Sequence, residues 1–247
     1  MLIINGDDFA LSESCSKAIA EALGEGLITN TTMMATGDYF SEAVKLAREF
    51  GFINRIGVHF NLTEGRPLTD EIKNTPAFVR NSVFHKDFLK NPRELTEREK
   101  SAVLSELRAQ AERLKAAGIP VVSADSHHYI HTFIQIAPLV SSVCKKYNIP
   151  RVRINRTFNT ASRPVISENR IENLWWRERG FETTLNFGRM SDIYESDFPD
   201  NTEIMVHPDF DKNGMLIDRT GIEDGYPVGE KLINIKSVLK NEQSSFK

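Results

Sequence analysis

Two aspartates stand side by side where the first apolar run stops, in Leu2-Ile3-Ile4-Asn5-Gly6-Asp7-Asp8-Phe9. Adjacent carboxylates repel, and each raises the other's pKa unless a cation is close. Read alone, the pair fits either a cation site or an acidic cap on a helix that follows at Ser12. Three further segments supply the groups a cation would need. Arg55-Ile56-Gly57-Val58-His59-Phe60-Asn61-Leu62-Thr63 alternates with period two, so Gly57, His59, Asn61 and Thr63 share one face. A lone strand histidine is commonly a hydrogen-bonded core residue, and His59 gains weight as a ligand only beside the next segment. Val121-Val122-Ser123-Ala124-Asp125-Ser126-His127-His128-Tyr129-Ile130-His131 holds three of the six histidines. The same alternation sends Asp125 and His127 to one face and His128 to the other, as a supporting or structural ring. His131 falls in the turn into the next helix, where it could line the site. One carboxylate and two imidazoles, Asp8, His59 and His127, make a set that holds a divalent metal, magnesium or zinc, and leaves positions for water and substrate.

Other candidates stand at the same kind of place. Glu203-Ile204-Met205-Val206-His207-Pro208 is a short strand ending on a histidine, and Pro208 breaks the ladder there. His207 then either stands at the site or simply terminates a strand. In Arg151-Val152-Arg153-Ile154-Asn155 an inward Arg153 could hold a carboxylate ionised, with Arg151 the competing choice and surface pairing open for both. Trp175-Trp176 offers a ring for sugar stacking, although one core and one surface residue is the commoner arrangement. Phe78, Phe84, His85 and Phe88 could form a lid or a small satellite cluster.

The elements that must position these residues alternate along the chain. Strands are expected at 2–6, 28–34, 56–62, 121–126, 151–155, 183–187 and 203–207. Helices are expected at 12–25, 41–50, 96–117 and 132–147, with a polar one at 228–243 closing the chain. Thr96 with Glu99 is a capping-box pattern, and Gly118 closes that helix. Such alternation predicts an α/β fold with a parallel sheet: a distorted or incomplete (β/α) TIM-like barrel of about seven parallel strands. All 247 residues read as one domain. Residues 64–95 lack clean periodicity and are expected to form a lid or substrate loop, while 156–182 is the least readable stretch.

Bulk properties exclude several roles. The net charge of −3 and dispersed basic residues give no footprint for nucleic acid or an anionic membrane. No apolar run approaches a membrane span. The first strand starts at once, with no export signal before it, and Cys15 and Cys144 lack metal-type spacing and read as buried thiols. A cytoplasmic protein is the resulting expectation.

Taken together, the chain resembles the YdjC-like (ChbG-type) carbohydrate deacetylase family. The matching stretches are Ile4 to Ser12, Gly26-Leu27-Ile28-Thr29-Asn30-Thr31-Thr32, Ile56 to Leu68, Asp125 to His131, and Glu203 to Pro208. Two small residues are exchanged against the family pattern, Gly6 for alanine and Ala10 for glycine, and Tyr129 replaces a third consecutive histidine. The resemblance implies that Asp8, His59 and His127 hold one divalent metal, that Asp7 is the catalytic base and that His207 is the acid. It further implies hydrolysis of an N-acetyl group on an amino sugar, with short N-acetylglucosamine oligosaccharides such as chitobiose as substrates, and it suggests a homodimer. Arg153 would keep Asp7 charged, with Asp125 as the alternative base. Two rivals stand beside this reading. One is another metal-dependent barrel enzyme, such as a sugar isomerase, which calls for more inward acids and a second metal. The other is a non-catalytic carbohydrate-binding protein.

Overall fold

The computed structural model describes residues 1–90, 93–158, 165–194, 199–220 and 230–235. Its strands are β1 (Leu2–Phe9), β2 (Asn30–Met33), β3 (Ile56–Phe60), β4 (Val79–Arg80), β5 (Val83–Phe84), β6 (Ser123–Ser126), β7 (Arg151–Val152), β8 (Asn186–Arg189), β9 (Thr202–Val206), β10 (Pro208–Phe210), β11 (Leu216–Asp218) and β12 (Glu230–Lys231). Its α-helices are α1 (Glu13–Gly24), α2 (Phe40–Glu49), α3 (Asp70–Lys73), α4 (Asp87–Lys90), α5 (Glu97–Ala116), α6 (Ala137–Lys146) and α7 (Ser167–Glu178). Seven strands form one parallel sheet in the order β7-β6-β3-β2-β1-β9-β8. This curled sheet with helices is the incomplete barrel that the alternating pattern predicts. Its two ends approach one another. Arg151 pairs with Glu182 in an isolated parallel bridge, and the Thr157 N–H donates to the Phe187 carbonyl at 2.9 Å.

Local chemistry explains the main helices. Ser12 accepts the Cys15 N–H at the start of α1, and Gly26 leaves that helix at φ +71°. Thr96 and Glu99 close a reciprocal capping box on α5. The largest core lies between the sheet and these helices, with Ile4, Val58, Leu107 and Val140 among its fully buried members. Cys15 belongs to it, and its thiol reaches the Asp8 carbonyl at 3.3 Å. A second, smaller cluster of Ile154, Phe187 and Met205 lies apart from it, with Tyr129 packed alongside.

Three expectations need correction. The helix expected from 228 does not start there, because Glu230 and Lys231 pair with Asp218 and Ile217 as β12; residues 236–247 lie outside the described residues. The expected strand 183–187 lies three residues further on, as β8. Region 156–182 contains α7, which sinks Trp176 into the core. Within segment 64–95, which carries α3, α4 and the β4–β5 hairpin, Phe78 and Phe84 join the main core instead of a satellite cluster.

Gly57 shows how tightly the strands that carry the site are drawn together. A Cβ there would lie 2.3 Å from Ser123 Oγ and 2.6 Å from the Ser123 carbonyl. The β3–β6 register that sets His59 opposite Asp125 depends on this approach. Gly57→Ala should therefore lower stability by about 1–3 kcal/mol, the usual range for overpacking. A denaturant midpoint unchanged from the parent protein would refute this.

Candidate active site

The segments that carry Asp7, Asp8, His59, Asp125, His127, Arg153 and His207 reach the same end of the sheet, the carboxyl ends of the strands. Asp7 and Asp8 lie near the end of β1 and His59 near the end of β3. Asp125 is in β6, while His127, Arg153 and His207 come immediately after β6, β7 and β9. Asp7, Asp8, His59, His127 and His207 border a cleft of about 420 Å³, whose walls also include Glu64, Tyr129, Arg189, Arg219 and Thr220; Asp125 and Arg153 are buried and do not line it.

Two imidazoles converge on one carboxylate oxygen. His59 Nε2 lies 3.1 Å and His127 Nδ1 2.8 Å from Asp8 Oδ1. These three donor atoms fall within 4.8 Å of one another. The outer nitrogen of each ring meets a further carboxylate: His59 Nδ1 is 2.7 Å from Asp125 Oδ1, and His127 Nε2 is 3.1 Å from Glu64 Oε2. An N–H donated outward leaves the inner nitrogen of each ring with its lone pair facing Asp8, the arrangement common behind metal-binding histidines. Asp8 sits at φ +68°, a left-handed conformation that aspartate tolerates better than most residues, and Arg219 donates to its other oxygen at 2.7 Å. The donor chemistry therefore fits a divalent cation, and the charge balance agrees. Asp7, Asp8, Asp125 and Glu203 are buried, with Arg153 and Arg219 as guanidinium partners.

Arg153 holds the floor of the site. It donates to Asp7 at 2.6 and 2.7 Å, to Asp125 at 2.8 Å and to Glu203 at 2.7 Å. Burial opposes its charge, but Asp125, Asp7 and Glu203 hold its pKa well above the ordinary arginine value. Burial likewise raises the Asp125 carboxyl, and Arg153 and His59 outweigh it and bring the pKa to about 2. Arg151, the alternative, is only half-buried at the start of β7. Asn5 and Thr32 complete the network: Asn5 donates to Asp7 and Thr32, and Thr32 donates to Asp125.

His207 faces the cleft from the opposite side and is oriented by a hairpin partner. Its Nδ1 lies 2.7 Å from Thr220 Oγ1, and the Thr220 hydroxyl donates to Asp218 Oδ1 at 3.2 Å. Asp218 also accepts the His207 N–H at 3.0 Å. With its own proton turned to Asp218, Thr220 accepts from His207 Nδ1–H and leaves Nε2 as the exchangeable nitrogen.

Three expected residues stand elsewhere. His131 does not line the cleft; it is fully buried beside Ser126, its ring centre 6.4 Å from Trp176, and burial lowers its pKa to about 3. Neither tryptophan lines the cleft, because Trp176 is core and Trp175 packs on it under Arg179. His128 is a neighbour of the site, its ring centre 3.9 Å from that of His127, and it contacts Thr63 and Lys86.

The model of the YdjC-like protein family matches residues 1–231. The chain belongs to that family. A chitooligosaccharide deacetylase of Proteus mirabilis is 29% identical over 222 residues, spanning 88% of this chain and 84% of the relative. A carbohydrate deacetylase of Brevibacillus brevis is 32% identical over 210 residues, spanning 84% of this chain and 80% of the relative. Among solved structures, an Enterococcus faecalis protein described as a cellobiose-phosphate cleavage protein superposes with a TM-score of 0.69. It covers 86% of this chain and 82% of its own at 23% identity, a likeness of fold. No helix among the described residues is long and apolar enough to cross a membrane.

Protons and a metal should compete for this centre. Burial lowers the pKa of both rings, but Asp125 and Asp8 lift that of His59 to about 10, and Asp8 and Glu64 raise that of His127. A cation must displace those protons, so its affinity should increase with pH across the neutral range, by up to about tenfold per unit for each proton released. Calorimetric titration with zinc or magnesium between pH 6 and 8 should find one site per chain and this direction. Affinity independent of pH would refute it.

Proposed function

We propose that this protein is a metal-dependent hydrolase that removes N-acetyl groups from amino sugars, and that short N-acetylglucosamine oligosaccharides such as chitobiose are its substrates. The observation that carries the reading is the convergence of Asp8, His59 and His127 in one cleft that Asp7 and His207 also face. The deacetylase names of its relatives support the same chemistry.

Amide hydrolysis needs a nucleophile at neutral pH, charge stabilisation at the carbonyl oxygen, and a proton for the leaving nitrogen. One divalent cation held by Asp8, His59 and His127 would lower the pKa of water and polarise the carbonyl. Asp7 accepts the proton of the attacking water. Its two oxygens are fixed by Arg153 and Asn5, so it is oriented before substrate arrives. His207 donates a proton to the departing amine from Nε2, while Thr220 and Asp218 hold Nδ1. A cleft of about 420 Å³ suits a short saccharide better than a polymer. An isomerase would call for a second metal on further inward acids. Asp125 and Glu203, the nearest such acids, are instead taken up by Arg153.

Acetate release should be screened over N-acetylated mono- and oligosaccharides with several divalent metals, and chitobiose-type substrates should give the highest turnover. Release from another acylated metabolite but none from short sugars would overturn the substrate assignment and leave the hydrolase. Asp7→Asn should reduce kcat by about 10²–10⁴-fold, the usual contribution of a positioned base, with metal content unchanged. Near-parental activity would move the base elsewhere, first to Asp125. His207→Ala should slow amides far more than activated esters, whose leaving groups need no proton. Equal losses on both would assign His207 a structural role.

A further inference from the structure

The two imidazoles of the metal centre are supported alike from behind, but by carboxylates in different settings. Asp125, behind His59, is buried on β6 and locked by Arg153 and Thr32. Glu64, behind His127, is 49% exposed in its side chain and opens the 64–95 segment. Its backbone is nevertheless fixed. Buried Asn61 donates to the Glu64 carbonyl at 2.6 Å and accepts the Thr63 N–H at 2.9 Å and the Glu64 N–H at 3.2 Å. Asn61 is itself held at both backbone groups by Gln110 of α5, at 2.9 and 2.7 Å. The turn therefore aims Glu64 at His127 from a rigid base, so the contact is not a chance meeting of a loose surface carboxylate.

We propose that Glu64 is a positioning residue for the metal, acting through His127. The inference rests on Asp8, His59 and His127 being the ligand set. A carboxylate accepting from Nε2–H keeps the proton off Nδ1, makes that nitrogen more basic, and prevents the ring from turning away from Asp8.

The test is zinc affinity of the full chain, measured by competition with a chromophoric chelator. Glu64→Ala should weaken binding about 10–100-fold, the usual cost of losing a partner behind a ligating histidine. Glu64→Gln, whose amide oxygen still accepts, should fall between. The melting temperature without metal should be unchanged in both. Zinc affinity of Glu64→Ala within twofold of the parent, while His59→Ala loses it, would overturn the role of Glu64 alone. Parental affinity in His59→Ala would overturn the ligand set, and the proposal with it.

Discussion

One guanidinium fixes the geometry of the whole site. Arg153 accepts responsibility for carboxylates from three strands: Asp7 of β1, Asp125 of β6 and Glu203 of β9. Without it, three acids packed a few ångströms apart would repel one another in a poorly solvated interior, a configuration proteins rarely sustain. With it, the Asp125 carboxyl is held at a pKa of about 2 behind His59, and both oxygens of Asp7 are fixed beside the cleft. The proposed metal site and the proposed proton acceptor are therefore braced by the same buried charge. A lysine there could not replace it, since a planar fork reaches several acceptors at once and a compact ammonium does not.

The rest of the site comes from outside the parallel sheet. After β9 the chain folds into the antiparallel β10–β11–β12 unit, and the turn after β11 returns Arg219 and Thr220 to the cleft, with Asp218 at its root. Arg219 secures the far oxygen of Asp8, while Thr220 and Asp218 secure His207. The opposite wall begins at the turn of Asn61 to Glu64. The sheet thus supplies the reactive groups, and two appendages of the sheet determine how those groups are aimed.

What could be read in the sequence follows this division. Asp7, Asp8, His59, His127 and His207 stand at strand ends, and period-two alternation with an abrupt polar stop encodes both their location and their direction. Glu203 was open to the same reasoning, since it shares the parity of Met205 and His207 on one short strand. Arg219, Asp218 and Thr220 were not, because an antiparallel return after the last parallel strand leaves no periodic signal. Glu64 depends on a side-chain-built turn that composition does not reveal. His131, expected in the turn into the next helix, misses the cleft because His128 and Tyr129 both adopt left-handed φ, at +54° and +56°, and redirect the chain after the strand end. Helix α7 was missed since few of its residues are deeply buried, Asn173 and Trp176 alone, which leaves a thin amphipathic pattern.

The thiol beneath Asp8 has a consequence for how this centre ages. Cys15 lies against the carbonyl of Asp8, the proposed metal ligand, yet burial, with Asp8 adding to it, drives its pKa upward, away from the reactive thiolate. A folded site of this kind is deaf to alkylating agents and peroxide despite having sulfur at its base. The shield is lost only when α1 lifts from the sheet. Any sulfur adduct found on Cys15 would therefore record an excursion of the backbone that had already dismantled the centre, and the rate of its accumulation would count how often the native ensemble visits that state.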